Sequence, residues 1–203
     1  GSNTKTDGAY SVAIGNCAST GVGAANSIAI GYYATTTANE AFAIGSKAHA
    51  SGDNSVALGF NSVSSSSRTI ALGSGTNASN TGATALGFGA TSSGLYSTAI
   101  GYNATTSQNN AIVLGDASSS STNVGVGTSS PNAKLHIVSS TASNGFQLQD
   151  GNQSLGKVLT SDANGKATWK SLGDDQAIGE ILKASNSSLN SGQIALGTSN
   201  VNI

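Results

Sequence analysis

The residues able to do chemistry are few and scattered along the chain. Two histidines, His49 and His136, lie far apart. Either one becomes a metal ligand only if several copies meet on a symmetry axis, because a zinc site needs three or four donors. Otherwise His49 is a tolerant surface residue in a turn-proximal rank with Thr35, Val63, Asn77, Thr91 and Thr105. Asp162-Ala163-Asn164-Gly165 has the look of a calcium loop but lacks the spaced acidic ligands and terminal Glu of an EF-hand; a hairpin turn accounts for it. Gly125-Val126-Gly127 has no helix pattern after it, so dinucleotide binding is unsupported. The lone Cys17 closes no disulfide within one chain. No carboxylate pair and no Ser/His/Asp set shares an element. The expectation is a protein that is not an enzyme, with no catalytic residue, no cofactor and no metal.

The elements that would position any of these residues are set by a repeat. The pattern small, β-branched, Ala, aliphatic, Gly ends at Gly15, Gly31, Gly45, Gly59, Gly73, Gly87, Gly101 and Gly115, spaced 16 and then 14 six times over. Three and one residues before each glycine sit Val12/Ile14, Ile28/Ile30, Phe42/Ile44, Val56/Leu58, Ile70/Leu72, Thr84/Leu86, Thr98/Ile100 and Ile112/Leu114. The interleaved positions carry Ser, Ala or Thr, as in Ser55/Ala57 and Thr69/Ala71, except in the last pair, Ala111/Val113. Period-two alternation predicts a strand with one large face and one small face. Small residues three and five after the glycine (Ala48/Ala50, Ser62/Ser64) predict a second, shorter strand, followed by a turn such as Ser51-Gly52-Asp53-Asn54. Each glycine is expected at a sharp corner, where a Cβ collides or φ must be positive.

Fourteen residues therefore make one coil of a parallel β-roll. The aliphatics Val12, Ile14, Ile28, Ile30, Phe42, Ile44, Val56, Leu58, Ile70, Leu72, Leu86, Ile100, Ile112 and Leu114 are expected to form its core, and the Ser/Ala face to meet another chain. Two buried aliphatics per coil supply about 3–6 kcal/mol, whereas ordering fourteen backbones costs at least about 14 kcal/mol. Stacking and self-association follow, in a number the repeat does not specify.

Composition narrows the partners. Charged residues make up 8% of the 203, and Arg68 is the one charged side chain between residues 54 and 115. Such a surface offers no electrostatic footprint for nucleic acid. No apolar run reaches the length of a bilayer span, so no membrane insertion by this segment is expected. The start Gly1-Ser2 reads as a cloning remnant and Met is absent, as expected of a piece cut from a longer polypeptide.

The units Tyr10-Ser11-Val12-Ala13-Ile14-Gly15, Asn26-Ser27-Ile28-Ala29-Ile30-Gly31 and Asn54-Ser55-Val56-Ala57-Leu58-Gly59 resemble the head repeat of the YadA-like trimeric autotransporter adhesins, over about residues 8–121. The resemblance implies an all-β fold: a left-handed parallel β-roll of 14-residue coils, three copies about one axis, in an extracellular cell-surface fibre that attaches to host or abiotic surfaces. Two later stretches, Asn123 to Ile137 and Gly156 to Trp169, resemble connectors of phage tail fibres and of mosaic adhesive trimers such as those of predatory Bdellovibrio.

The expected organisation is a lead-in over 1–9, the repeat head over 10–121 and a connector over 122–140. A small β-hairpin domain over 141–172 follows, with the turn at Asn164-Gly165 and Trp169 as its anchor. Residues 173–203 are expected to add a short helix, N-capped by Asp174 or Asp175 with Ile178, Ile181 and Leu182 on one face, then a strand, as a cap or the start of another fibre module. Tyr32, Phe60, Phe88 and Tyr102, each one residue past a corner glycine, are the candidate surface contacts. They either stack on sugars and apolar surfaces or shield coil corners and subunit seams. The function expected is a homotrimeric adhesin segment engaging an unknown cell-surface receptor or glycan. A tail fibre on a virion is the alternative. An ice- or crystal-binding solenoid is a lesser one, suggested by Thr35-Thr36-Thr37 and Thr105-Thr106 but broken at His49, Val63 and Asn77.

Overall fold

The structure is a computed structural model that describes residues 1–116, 118–119, 122–141 and 145–171, with the strands Gln193–Leu196 and Ser199–Asn202. The chain divides into two units, Gly1–Val138 and Ser139–Ile203.

The first unit is built on the repeat. Three-residue strands at Val12–Ile14, Ile28–Ile30, Phe42–Ile44, Val56–Leu58, Ile70–Leu72, Thr84–Leu86, Thr98–Ile100 and Ile112–Leu114 form one eight-stranded parallel sheet. Two-residue strands form the other, running from Lys5–Thr6 to Thr105–Thr106. Equivalent repeat positions pair without slippage, so Ile70 faces Val56 on one side and Thr84 on the other. Eight strands at about 4.8 Å make a rod of roughly 34 Å. The residues expected as a lead-in belong to it, since Lys5–Thr6 pairs in parallel with Ser19–Thr20. The extra length of the second coil is an outward bulge at Val22-Gly23, where Val22 is exposed.

The turns are laddered as strictly as the strands. Asn61 N donates to Ser46 O at 2.9 Å, Gly75 N to Phe60 O at 2.8 Å and Asn103 N to Phe88 O at 2.9 Å. Gly59 shows why the corner takes glycine: φ is +138°, and a Cβ there would stand 2.4 Å from the carbonyl oxygen of Gly73.

The interior corrects the expected core. Ala29, Ala43, Ala57, Ala71, Ala85 and Ala99 are wholly buried within the single chain, as are Ala48, Ala50, Ser62 and Ser64 on the opposite wall. The fourteen residues expected as core point outward instead. Ile28, Ile30, Phe42 and Val56 are half-buried, while Val12, Ile14, Ile44, Leu58, Ile70, Leu72, Leu86, Ile100, Ile112 and Leu114 are exposed, from 37% at Ile44 to 71% at Ile112. The cause is the size of the coil. Fourteen residues at no more than about 3.3–3.6 Å each give a perimeter under about 50 Å for two strands and two turns. That perimeter encloses methyls and hydroxyls, whereas walls carrying opposed Ile and Leu stand about 10 Å apart.

Buried hydroxyls are matched across this narrow interior. Ser27 Oγ lies 3.0 Å from Thr36 Oγ1, Ser64 Oγ 2.6 Å from Thr69 Oγ1 and Ser92 Oγ 2.7 Å from Ser97 Oγ. Ser55 Oγ is buried without a partner. Ala41 and Ala83 fill the same rank in other coils, so Ser55→Ala is expected to raise the stability by about 1 kcal/mol, the usual relief of an unpaired buried polar group. Chemical denaturation measures it; a lower midpoint would mean that this hydroxyl is bonded.

After the roll, Val124–Val126 pairs in parallel with Leu135–Ile137. The link bends through Pro131, whose carbonyl accepts from Asn123 Nδ2 at 3.0 Å. In the second unit, Lys157–Ser161 and Ala167–Ser171 form an antiparallel hairpin that sets Leu159 opposite Trp169. Gln193–Leu196 pairs antiparallel with Ser199–Asn202. The helix expected from Asp174 or Asp175 lies outside the described residues. Among the described residues there is no helix, and none is long and apolar enough to cross a membrane.

Candidate interaction surface

The residues singled out for chemistry do not converge. His49 starts a two-residue strand beside a turn, and its Nδ1 lies 2.6 Å from Thr35 Oγ1 in the preceding coil. His136 is on the Leu135–Ile137 strand, with its Nδ1 3.4 Å from the Asn132 amide that donates to it. Asp162 Oδ1 accepts from the N–H groups of Asn164 and Lys166 at 2.9 and 2.8 Å, so this carboxylate closes the hairpin turn. Gly125 lies within a strand and Gly127 directly follows it. Among the described residues no three His, Cys, Asp or Glu side chains are placed to hold a metal. Cys17 is half-buried beside Tyr33, and the thiol is the first cause of a raised Tyr33 phenol pKa.

What the roll presents instead is a pair of surfaces. The first is the outer face of the three-residue-strand sheet, a continuous double row of Ile, Leu, Val and Phe interrupted by Thr84 and Thr98. Its own chain leaves it open. Folded single chains rarely expose contiguous apolar patches beyond a few hundred Å² unless something covers them. Covering the exposed half of each aliphatic contributes on the order of 1 kcal/mol. The face as a whole then offers on the order of 10 kcal/mol per chain, comparable with the 4–15 kcal/mol cost of association.

The second surface begins one residue beyond the corner, where Tyr32, Phe60, Phe88 and Tyr102 are exposed by 50–65%. Phe88 and Tyr102 stack with centroids 5.7 Å apart and planes 8° from parallel. Tyr32 meets Tyr33 edge-on at 4.5 Å. At the last coil this rank runs into an open groove of about 550 Å³ walled by Ile100, Tyr102, Leu114 and Asp116. Asp116 escaped the sequence reading. Its carboxyl is held below the ordinary carboxylate pKa, first by the Ser118 hydroxyl at 2.6 Å and then by the Ser118 amide at 2.8 Å. Lys134 Nζ donates to the carbonyls of Thr122 and Ser119 at 2.9 and 3.4 Å, tying the loop after the roll to the connector.

With this geometry in place, comparison with known proteins is specific. The profile of the YadA head domain repeat matches residues 1–16, 23–48, 37–62, 64–90 and 92–118, together just over half of the chain. Among solved structures, the collagen-binding domain of the Yersinia adhesin YadA aligns at 21% identity with a TM-score of 0.41, covering 71% of this chain and 65% of that one. This chain thus spans just under two thirds of that structure's length. No curated protein matches it.

Proposed function

The chain belongs to the family of the YadA head domain repeat, and on that premise we propose that it is the extracellular head of a homotrimeric, non-catalytic adhesin, displayed on a cell-surface fibre to engage a receptor or glycan. One observation carries the reading: the outward aliphatic face runs the full length of the roll and is left open by its own chain. A face of that kind on a rod that repeats in register is satisfied by the same face on other copies, and cyclic symmetry closes the assembly without leaving an open edge. Three copies are the number that the family resemblance implies. The sparse charge of the roll fits a contact surface that works by shape and apolar area rather than by long-range attraction.

Sedimentation equilibrium on the full chain tests the assembly. Three times the 19.7 kDa chain mass is expected at micromolar concentration, and a monomer there would overturn the proposal. Adhesion is then read by coating beads with the protein and measuring retention on immobilised collagen, mucin and bare polystyrene. Retention no greater than that of albumin-coated beads on every surface would remove the adhesin role while leaving the trimer standing.

A further inference from the structure

The rank one residue past the corner glycine alternates in a way that shielding a corner does not require. It reads Tyr32, Ser46, Phe60, Ser74, Phe88 and Tyr102 on six successive coils. The backbone of this rank is held by the turn ladder, in which the carbonyls of Tyr32, Ser46, Phe60, Ser74 and Phe88 each accept an N–H from the next coil at 2.7–3.0 Å. From Tyr32 to Phe88 aromatic rings therefore recur at every second coil, about 9.6 Å apart, with a serine at the coil between them, and Tyr102 on the next coil stacks on Phe88. The rings are more than half exposed at Phe60, Phe88 and Tyr102, and Arg68 is the one charged side chain between residues 54 and 115.

We infer that this rank is a binding track for an extended, uncharged, β-1,4-linked polysaccharide lying along the rod. The inference rests on reading the roll as a displayed head. In such a polysaccharide each sugar is turned over relative to its neighbour, so one face recurs every disaccharide, a length of roughly two coils. The apolar C–H face of a pyranose packs on an aromatic ring, and the ring's negative π-face favours those polarised hydrogens. Between the rings, the hydroxyls of Ser46 and Ser74 can donate to or accept from the sugar hydroxyls that point sideways. The rank itself holds no lysine or arginine, and from Phe60 to Tyr102 Arg68 is the one charged side chain, so that stretch favours a neutral chain over a sulfated or sialylated one; Lys47, beside Ser46, is the one cation near the start of the track. From Tyr32 to Tyr102 the track is about 24 Å long, enough for several sugars and too long for one.

The experiment is calorimetric titration of the 203-residue chain, as the trimer proposed above, with chitohexaose and cellohexaose, beside their trisaccharides and monosaccharides. One hexasaccharide is expected to bind at least about tenfold more tightly than its trisaccharide, because it reaches further rings. Phe60→Ser with Phe88→Ser, which continues the serine rank with exposed residues, is expected to weaken hexasaccharide binding about tenfold or more. The trimer mass and thermal midpoint should stay as they were. No binding of either hexasaccharide by an intact trimer would overturn the track while leaving the adhesin reading in place. A double variant that loses trimer mass or thermal midpoint would place the rings in a subunit seam, which also overturns it.

Discussion

Leu72→Lys should convert the proposed trimer into single chains that keep their β signal. Leu72 points out of the roll beside Ile70, with Leu58 and Leu86 as its ladder neighbours. In the proposed assembly its side chain meets those of other copies. Replacing it removes on the order of 1–2 kcal/mol of apolar contact per chain and asks three ammonium groups to share a dry seam. Burying an unpaired charge costs several kcal/mol more for each. The dissociation constant is therefore expected to rise by more than about a thousandfold. The interior is untouched by the change, because Ala71 faces inward and is wholly buried. Sedimentation should give the mass of one chain, and far-UV circular dichroism should still report strands. If Leu72 belonged to the core of its own coil, the same substitution would erase the strand signal as well. An unchanged trimer mass would place the interface on another face.

Gly59→Ala is the substitution expected to damage the roll itself most. The added methyl would lie 2.4 Å from the Gly73 oxygen and 2.6 Å from its carbon, at a φ of +138°. Both contacts are backbone, so no side chain can rotate away. A positive-φ conformation reserved for glycine costs about 1–3 kcal/mol on its own, and prising two coils apart breaks ladder hydrogen bonds on both sides. A loss of at least about 3 kcal/mol, or a midpoint lowered by roughly 10 °C for a chain of this size, is expected. Gly75→Asn is the matched control. Gly75 also has positive φ, at +69°, yet a Cβ there meets nothing nearer than 4.0 Å. Asn61 and Asn103 already occupy the same rank with φ of 54° and 50°. That variant should shift stability by no more than about 0.5 kcal/mol. Equal losses in the two variants would mean that φ alone, rather than the carbonyl of the next coil, dictates the corner.

How far each feature could be read from the chain depended on whether its cause was local. The coil length, the two strands per coil and the corner glycines follow from a 14-residue register visible at Gly31, Gly45 and Gly59. Backbone period and turn chemistry act within a few residues. The hairpin around Asn164-Gly165 was legible for the same reason, and its Asp162 turn explains the calcium-like spelling. The role of Asp116 was not, because its significance lies in following Tyr102 on the stacked rank and lining a groove that forms only when the chain turns back after the last coil.

The amino-acid order by itself determined that the chain coils, where each coil turns and which side chains share a face. Only the closed three-dimensional coil decided which face is inside. Both faces are uncharged, so hydrophobic pattern alone permitted either answer, and the usual preference for burying Ile and Leu favoured the wrong one. The enclosed volume settled it: a fourteen-residue loop holds alanine and serine, and it turns the larger aliphatics outward, where a neighbouring copy can cover them.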